Sequence, residues 1–172
     1  MSARAAAKPK RRENSAGNAR VAVQFAAGTR GIPSAASLRR WARGAARGAT
    51  EIVLRIVGAA EARRLNREFR KLDHATDVLT FAYARRPLRG DIVLCHPVLA
   101  RAARQRGLAL AAHYAHLVVH GMLHLRGFDH RRAADARRMA RAEARVLAQF
   151  GFGDPYAVEF PQRAREGRRR GR

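Results

Sequence analysis

Three histidines of the segment HGMLHLRGFDH, His120, His124 and His130, are the residues whose type and spacing point most directly to chemistry. His120 and His124 are four positions apart, so on a helix their imidazoles sit about 40° apart on one face, one turn above the other. Such a pair chelates one divalent ion. His130 comes six positions later and would point roughly 240° away from His124 on an uninterrupted helix. Gly127 lies between them, and a chain reversal at that glycine returns His130 to the same ion. Three neutral imidazoles with a fourth position open to water make the ligand set of a catalytic zinc site rather than a closed structural one.

His113 and His116 fall on nearly the same helical stripe. His116 and His124 lie roughly 12 Å apart along a helix axis, while each metal–nitrogen bond is only about 2 Å, so His116, His120 and His124 cannot share one ion. His113 and His116 are therefore read as structural groups or as supports for the ligands. Asp129 either orients a ligand histidine or caps the following helix, the cap being preferred. Asp77 and Asp91 lie near strand ends and receive no role.

The elements that must position these residues follow from periodicity. Val21, Val23 and Phe25 alternate within 19–26, and 50–57 (TEIVLRIV), 77–83 and 91–95 are further strands, the last two joined by the loop ARRPLRG. Ser34 caps a helix that carries Leu38 and Trp41, is interrupted at Gly44 and is over by Gly48. Residues 59–70 place Ala62, Leu65 and Phe69 on one stripe of an amphipathic helix. Helices follow from Pro97 to about Arg106, from Leu108 to Arg126 and from Arg131 to Phe150. Strands lead and helices gather at the end, which predicts an α+β domain over 19–160: a single mixed sheet of about four strands flanked by about five helices, the metal site at the end of a long helix. Residues 1–18 and 161–172 read as disordered basic tails.

Composition narrows the partners. The 36 Lys and Arg against 13 Asp and Glu give a net charge of +23. Each of the segments 1–20 and 161–172 carries +5, so +13 stays on the chain between them and the domain itself presents a basic face. Nucleic acid is the expected partner, ahead of a membrane surface, because no segment pairs a basic face with a strong Trp or Phe face. No stretch is apolar enough to span a bilayer, and the N-terminal residues lack the apolar core of a secretory signal, so a cytoplasmic address is expected. Cys95 is the single cysteine, which excludes an internal disulfide and a thiolate-rich metal site.

The pattern H-x-x-x-H-x-x-G-x-x-H has the spacing of metzincin zinc peptidases, whose second position is a glutamate acting as general base. Gly121 stands there instead, so the spacing argues for a metal and the missing carboxylate argues against proteolysis. HGMLHLRGFDH more closely resembles the signature H-G-x-L-H-L-x-G-Y-D-H of the YbeY family of bacterial endoribonucleases. LNREFRKLDHATDVLTF (65–81) and GDIVLC (90–95) are similar to that family's helix–arginine–strand segment and next strand, and the likeness spans about 50–157. The resemblance implies one zinc ion on His120, His124 and His130, cleavage of single-stranded RNA, and a role in maturation of ribosomal RNA at the small-subunit 16S 3′ end and in ribosome quality control. It also implies that Arg70 is catalytic. Phe69 and Phe128 replace common tyrosines and Ala75 a common proline, so neither phenol is essential here.

Cleaving a phosphodiester requires a nucleophile, which metal-bound water supplies, and a group for the phosphoryl charge, for which the Arg70 guanidinium matches two oxygens. The alternative is a non-catalytic RNA-binding ribosome-assembly factor with a structural metal; a metallopeptidase is weaker. RNA affinity should fall steeply with salt through counterion release. Removing 1–18 and 161–172 should weaken binding without abolishing it, and a truncated domain that bound no RNA at low salt in a filter-binding titration would contradict the basic-face argument.

Overall fold

A computed structural model describes residues 19–156 apart from residue 27; the basic tails read at 1–18 and 161–172, and the end of the domain at 160, lie outside the described residues. The order is β1 (Ala19–Phe25), α1 (Ala35–Ala45), β2 (Thr50–Val57), α2 (Ala59–Arg70), β3 (Val78–Arg85), β4 (Leu88–Cys95), α3 (His96–Gln105), α4 (Leu110–Leu125) and α5 (Ala133–Ala148). The architecture is α+β with one mixed sheet in the order β1-β2-β4-β3, in which β1, β2 and β4 run parallel and β3 is antiparallel to β4. Among the described residues no helix is long and apolar enough to cross a membrane.

The period-2 pattern of β2 buries Thr50, Ile52, Leu54 and Ile56 on one face. That face joins Val21, Ile92 and Leu94 and is covered by α1, α4 and α5 through Leu38, Trp41, Met122 and Leu147. On the opposite face α2 and α3 cover only one end, around Val57, Ala62, Leu79, Val93 and Cys95. Helix α4 is buried nearly all round, as an apolar helix without a polar face must be.

Several boundaries differ from expectation for local reasons. Helix α1 continues through Gly44 to Ala45, and the glycine's missing side chain leaves the space that the ring of Phe150 occupies. The segment read as a loop between the last two strands is mostly strand: β3 and β4 pair up to Arg85↔Leu88, which leaves Arg86 and Pro87 as the turn. Leu88 then buries its side chain instead of lying in a loop. Ser34 caps α1 as read, its Oγ accepting the Ser37 N–H at 3.2 Å.

Gly121, the position a zinc peptidase gives to its glutamate, faces the sheet and not solvent. A Cβ there would lie 2.9 Å from Ile92 Cγ2 and 3.2 Å from Thr80 Cγ2. The glycine is what lets α4 approach β3 and β4 closely. Gly121→Val should therefore overpack the core and destabilise the fold by about 1–3 kcal/mol, with Gly121→Ala milder, in denaturant unfolding followed by circular dichroism.

Candidate active site

The turn that the trio requires is present. Helix α4 ends with Gly127 at φ 89°, the Gly127 N–H donating to His124 O at 2.8 Å and the Phe128 N–H to Leu123 O at 3.0 Å. This pair of bonds is the Schellman ending, which needs a left-handed residue that glycine supplies without strain. The chain reverses, and ligand nitrogens of His120, His124 and His130 come within 4.8 Å of one another. Asp129 tightens the return: its Oδ1 accepts the backbone N–H of His130 at 2.7 Å and of Arg131 at 3.3 Å. Those bonds hold its carboxyl below the usual carboxylate range. The position that begins α5 is Arg132, so Asp129 caps the turn before the helix rather than the helix itself.

Hydrogen bonds determine which nitrogens face the centre of the trio. His120 Nδ1 lies 2.8 Å from Glu143 Oε1, and His124 Nδ1 lies 3.0 Å from the Phe128 carbonyl oxygen. A carboxylate and a carbonyl only accept, so both Nδ1 atoms carry the proton and both Nε2 atoms present lone pairs. Those two Nε2 atoms stand 3.0 Å apart. Two lone pairs at that distance repel unless a cation or a proton lies between them. Two nitrogens on one tetrahedral zinc would be about 3.3 Å apart for bonds of roughly 2.0–2.1 Å. The donor set therefore fits a divalent ion. Burial, with the neighbouring His120 and His130 rings, pushes His124 below its ordinary value and favours the neutral, ligating form.

Glu143 was not foreseen, although α5 carried the signal: it is a lone acid on the stripe that buries Met139, Val146 and Leu147. It is 0% exposed. Burial alone would raise its carboxyl, but hydrogen bonds from His116, His120 and Tyr156 outweigh that and lower it to about 2. It therefore stays ionised and holds the His120 tautomer, a carboxylate–histidine arrangement that makes the imidazole a better ligand. His116 meets the same carboxylate at 3.4 Å and Tyr156 Oη at 3.2 Å, which places it behind His120 through Glu143. His116, His120 and Glu143 are also close enough to hold an ion, but Glu143 is sealed from solvent and Nδ1 of His120 already donates to it. His113 is buried, has no hydrogen-bond partner among the described residues, and belongs to the core.

The trio opens into a cleft of about 450 Å³ whose walls include Arg70, Val78, Thr80, Arg85, Phe128, Asp129 and Arg131. Arg70 comes from the last turn of α2, and Arg85, which the sequence did not single out, from the end of β3. Asp129 is the one carboxylate among these walls, and the backbone already engages it. Asp77 and Asp91 lie elsewhere: Asp77 Oδ1 accepts the Val78 N–H at 2.8 Å, and Asp91 Oδ2 accepts from Tyr83 Oη at 2.8 Å. A larger groove of about 680 Å³ crosses the open face of the sheet and contains none of the histidines.

The described residues thus form an α+β domain whose three imidazoles could hold a metal ion in a cleft walled by Arg70, Arg85 and Arg131. Comparison with known proteins gives the family. Residues 33–151 match the family model described as Endoribonuclease YbeY, and the chain belongs to that family. It is 53% identical over 126 residues to the Endoribonuclease YbeY of Aromatoleum aromaticum, covering 73% of this chain and 82% of the relative. It is 48% identical over 140 residues to that of Nitrosomonas eutropha, covering 81% and 99%. The solution structure of a Thermotoga maritima protein shares the fold, with a TM-score of 0.56 at 22% identity over 88% of this chain and 99% of that one.

Removing the carboxylate should be felt at the metal. Glu143→Ala should weaken zinc binding by about 10- to 100-fold in competition with a chromophoric chelator. Glu143→Gln, which keeps an acceptor for His120 Nδ1–H, should lose less, and His124→Ala should bind zinc poorly at any accessible concentration.

Proposed function

We propose that this chain is a zinc-dependent endoribonuclease that cuts single-stranded RNA in the cytoplasm. It acts in ribosomal RNA maturation at the 3′ end of the 16S RNA of the small subunit, and in ribosome quality control. The observation that carries the reading is the shared cleft, in which His120, His124 and His130 line the same space as Arg70. The relatives' common name supports RNA as substrate, and the net charge of +23 suits a polyanion. The ribosomal role rests on the family resemblance.

The chain's own residues divide the work. A zinc ion on the three imidazoles supplies, when bound, Lewis acidity and activation of the attacking water. Glu143 and the Phe128 carbonyl keep His120 and His124 in the tautomer that faces it. The Arg70 guanidinium binds two phosphoryl oxygens and stabilises the charge that grows on them as the bond breaks. Arg85, in the same cleft, adds a second cation for the strand that enters.

An assembly factor with a structural metal would have the same basic surface. Against it stands the exposure of His130, which leaves the trio open to the cleft instead of closed around an ion.

Arg70→Ala should leave zinc content and folding intact yet cut the rate on single-stranded RNA by about 10²-fold or more, the scale of one preorganised charge-stabilising group. Arg70→Lys should recover little, because an ammonium lacks the planar fork. Binding should weaken far less than the rate, since 35 other Lys and Arg remain of the 36. Cleavage by Arg70→Ala at the parent's rate would remove Arg70 from the chemistry. Ribosome maturation supported by zinc-loaded protein that cuts no RNA would establish the assembly factor instead.

A further inference from the structure

Beside the cleft, on the other side of β3, three aromatic rings lie in a row. β3 is an edge strand, and among the described residues no further strand pairs with its outer side. One of its faces gives Val78, Thr80 and Arg85 to the histidine cleft. The other carries Phe81, which stands opposite Asp91 in the ladder, and Tyr83, whose hydroxyl donates to that same Asp91. Phe81 and Tyr83 are two positions apart and share a face by strand alternation, and the register shift between Ala82 and Ala84 reverses the alternation beyond them, so that Arg85 falls on the cleft side with Val78 and Thr80. Phe69, in the last turn of α2, completes the row, its ring meeting that of Phe81 edge-on at 5.0 Å and 70°.

These rings are not sealed in the core. Phe69 is 55% exposed and Tyr83 66% exposed. Phe81 is partly buried against the small cluster beneath α2 and anchors its neighbours. Large exposed aromatics lose the benefit of burial, so an exposed row of them held in place by a buried member points to a flat ligand. Cations adjoin the rings along the chain: Arg70 and Lys71 follow Phe69, and Arg85, Arg86 and Arg89 follow Tyr83 along the hairpin, with Arg70 and Arg85 on the cleft side and Arg89 paired to Glu51 at 2.9 Å. Aromatic faces set among cations are the means by which proteins hold unpaired bases while gripping the backbone.

Phe69 and Arg70 are consecutive, so the last turn of α2 directs a cation into the cleft and an aromatic ring onto the sheet's open face. We propose that Phe69, backed by Phe81 and continued by Tyr83, is a stacking platform for a base of single-stranded RNA whose neighbouring phosphate lies in the cleft. The strand passes over the free edge of β3 between the two. This rests on the reading of the cleft as an RNA-cleaving site, and it supplies that site's selectivity: bases in a duplex are already paired and stacked, and cannot swing onto Phe69 without melting.

The test uses the full zinc-loaded chain and a short oligoribonucleotide carrying one 2-aminopurine, alone or annealed to its complement. Stacking on the platform should quench the fluorophore in the single strand and not in the duplex. Phe69→Leu keeps an apolar side chain but lacks the ring. It should remove the quench, raise Kd and KM for the single strand about tenfold, and leave kcat, zinc content and duplex binding unchanged within about twofold. Phe69→Tyr should behave as the parent, and Tyr83→Leu should show a smaller loss of the same kind.

Single-strand binding by Phe69→Leu equal to the parent's would overturn the platform and leave Phe69 and the exposed Leu72 as a protein-docking patch. Equal losses on single strand and duplex would also overturn it, reducing Phe69 to a general contact. The two readings fail separately. A parent that cleaves RNA while Phe69→Leu binds normally keeps the nuclease and loses the platform; a parent that quenches and discriminates strands but cleaves nothing keeps the platform and loses the nuclease.

Discussion

Two imidazole nitrogens face each other across 3.0 Å, each with its proton held on the far side of the ring by an acceptor that cannot donate. Neither ring can turn its N–H inward without breaking a bond to Glu143 or to the Phe128 carbonyl, so the facing lone pairs persist until a positive charge lies between them. Much of the surrounding architecture serves that arrangement. Helix α4 must run through the core to hold His120 and His124 one turn apart, and Gly121 must lack a side chain for the helix to reach the sheet. Gly127 must take the left-handed conformation for the Phe128 carbonyl to come round to His124. Helix α5 must pack on α4 for a carboxylate that solvent never reaches to touch His120.

How far the sequence was readable depended on whether the information was local. The histidine spacing and Gly127 lie within eleven residues, and helix geometry with one turn type was enough to bring the trio together. The strands of the sheet showed in alternation, as did Ser34 as a cap. Glu143 lies 23 residues from His120, and its role depends on how α5 lies against α4, which no spacing rule specifies. Its sign in the sequence was an acid on an apolar stripe, easily taken for one of the solvated charges of a basic helix. Arg85 escaped notice for a related reason: its strand was longer than the turn residues around it implied, and only the pairing with Leu88 places it beside Gly127. Arg70, one cation among many, became a candidate through family likeness alone, and the fold then brings it to the cleft wall.

Charge and shape divide their tasks in this molecule. The excess of arginine would attract a polyanion from any direction and read nothing, as diffuse electrostatics must. On the proposed reading, discrimination would belong to the few places where geometry is held: the imidazole centre, the guanidinium at the end of α2, and the rings of Phe69, Phe81 and Tyr83. All three converge on the hairpin edge, where one strand separates the histidine cleft from the open face of the sheet.

The three histidines of the trio are not equivalent in their surroundings. His120 and His124 belong to a helix enclosed by the core, and each has its second nitrogen tethered. His130 stands after the reversal at Gly127, exposed, with its backbone tied chiefly through Asp129. The site is thus a fixed two-toothed jaw with a latch. An ion held here would be gripped by two residues fixed in the core and by a third carried on an exposed turn. If the trio holds a metal, a surface substitution in the short turn 127–132 would then change how long the ion stays while leaving the core, and the stability it gives the fold, as before.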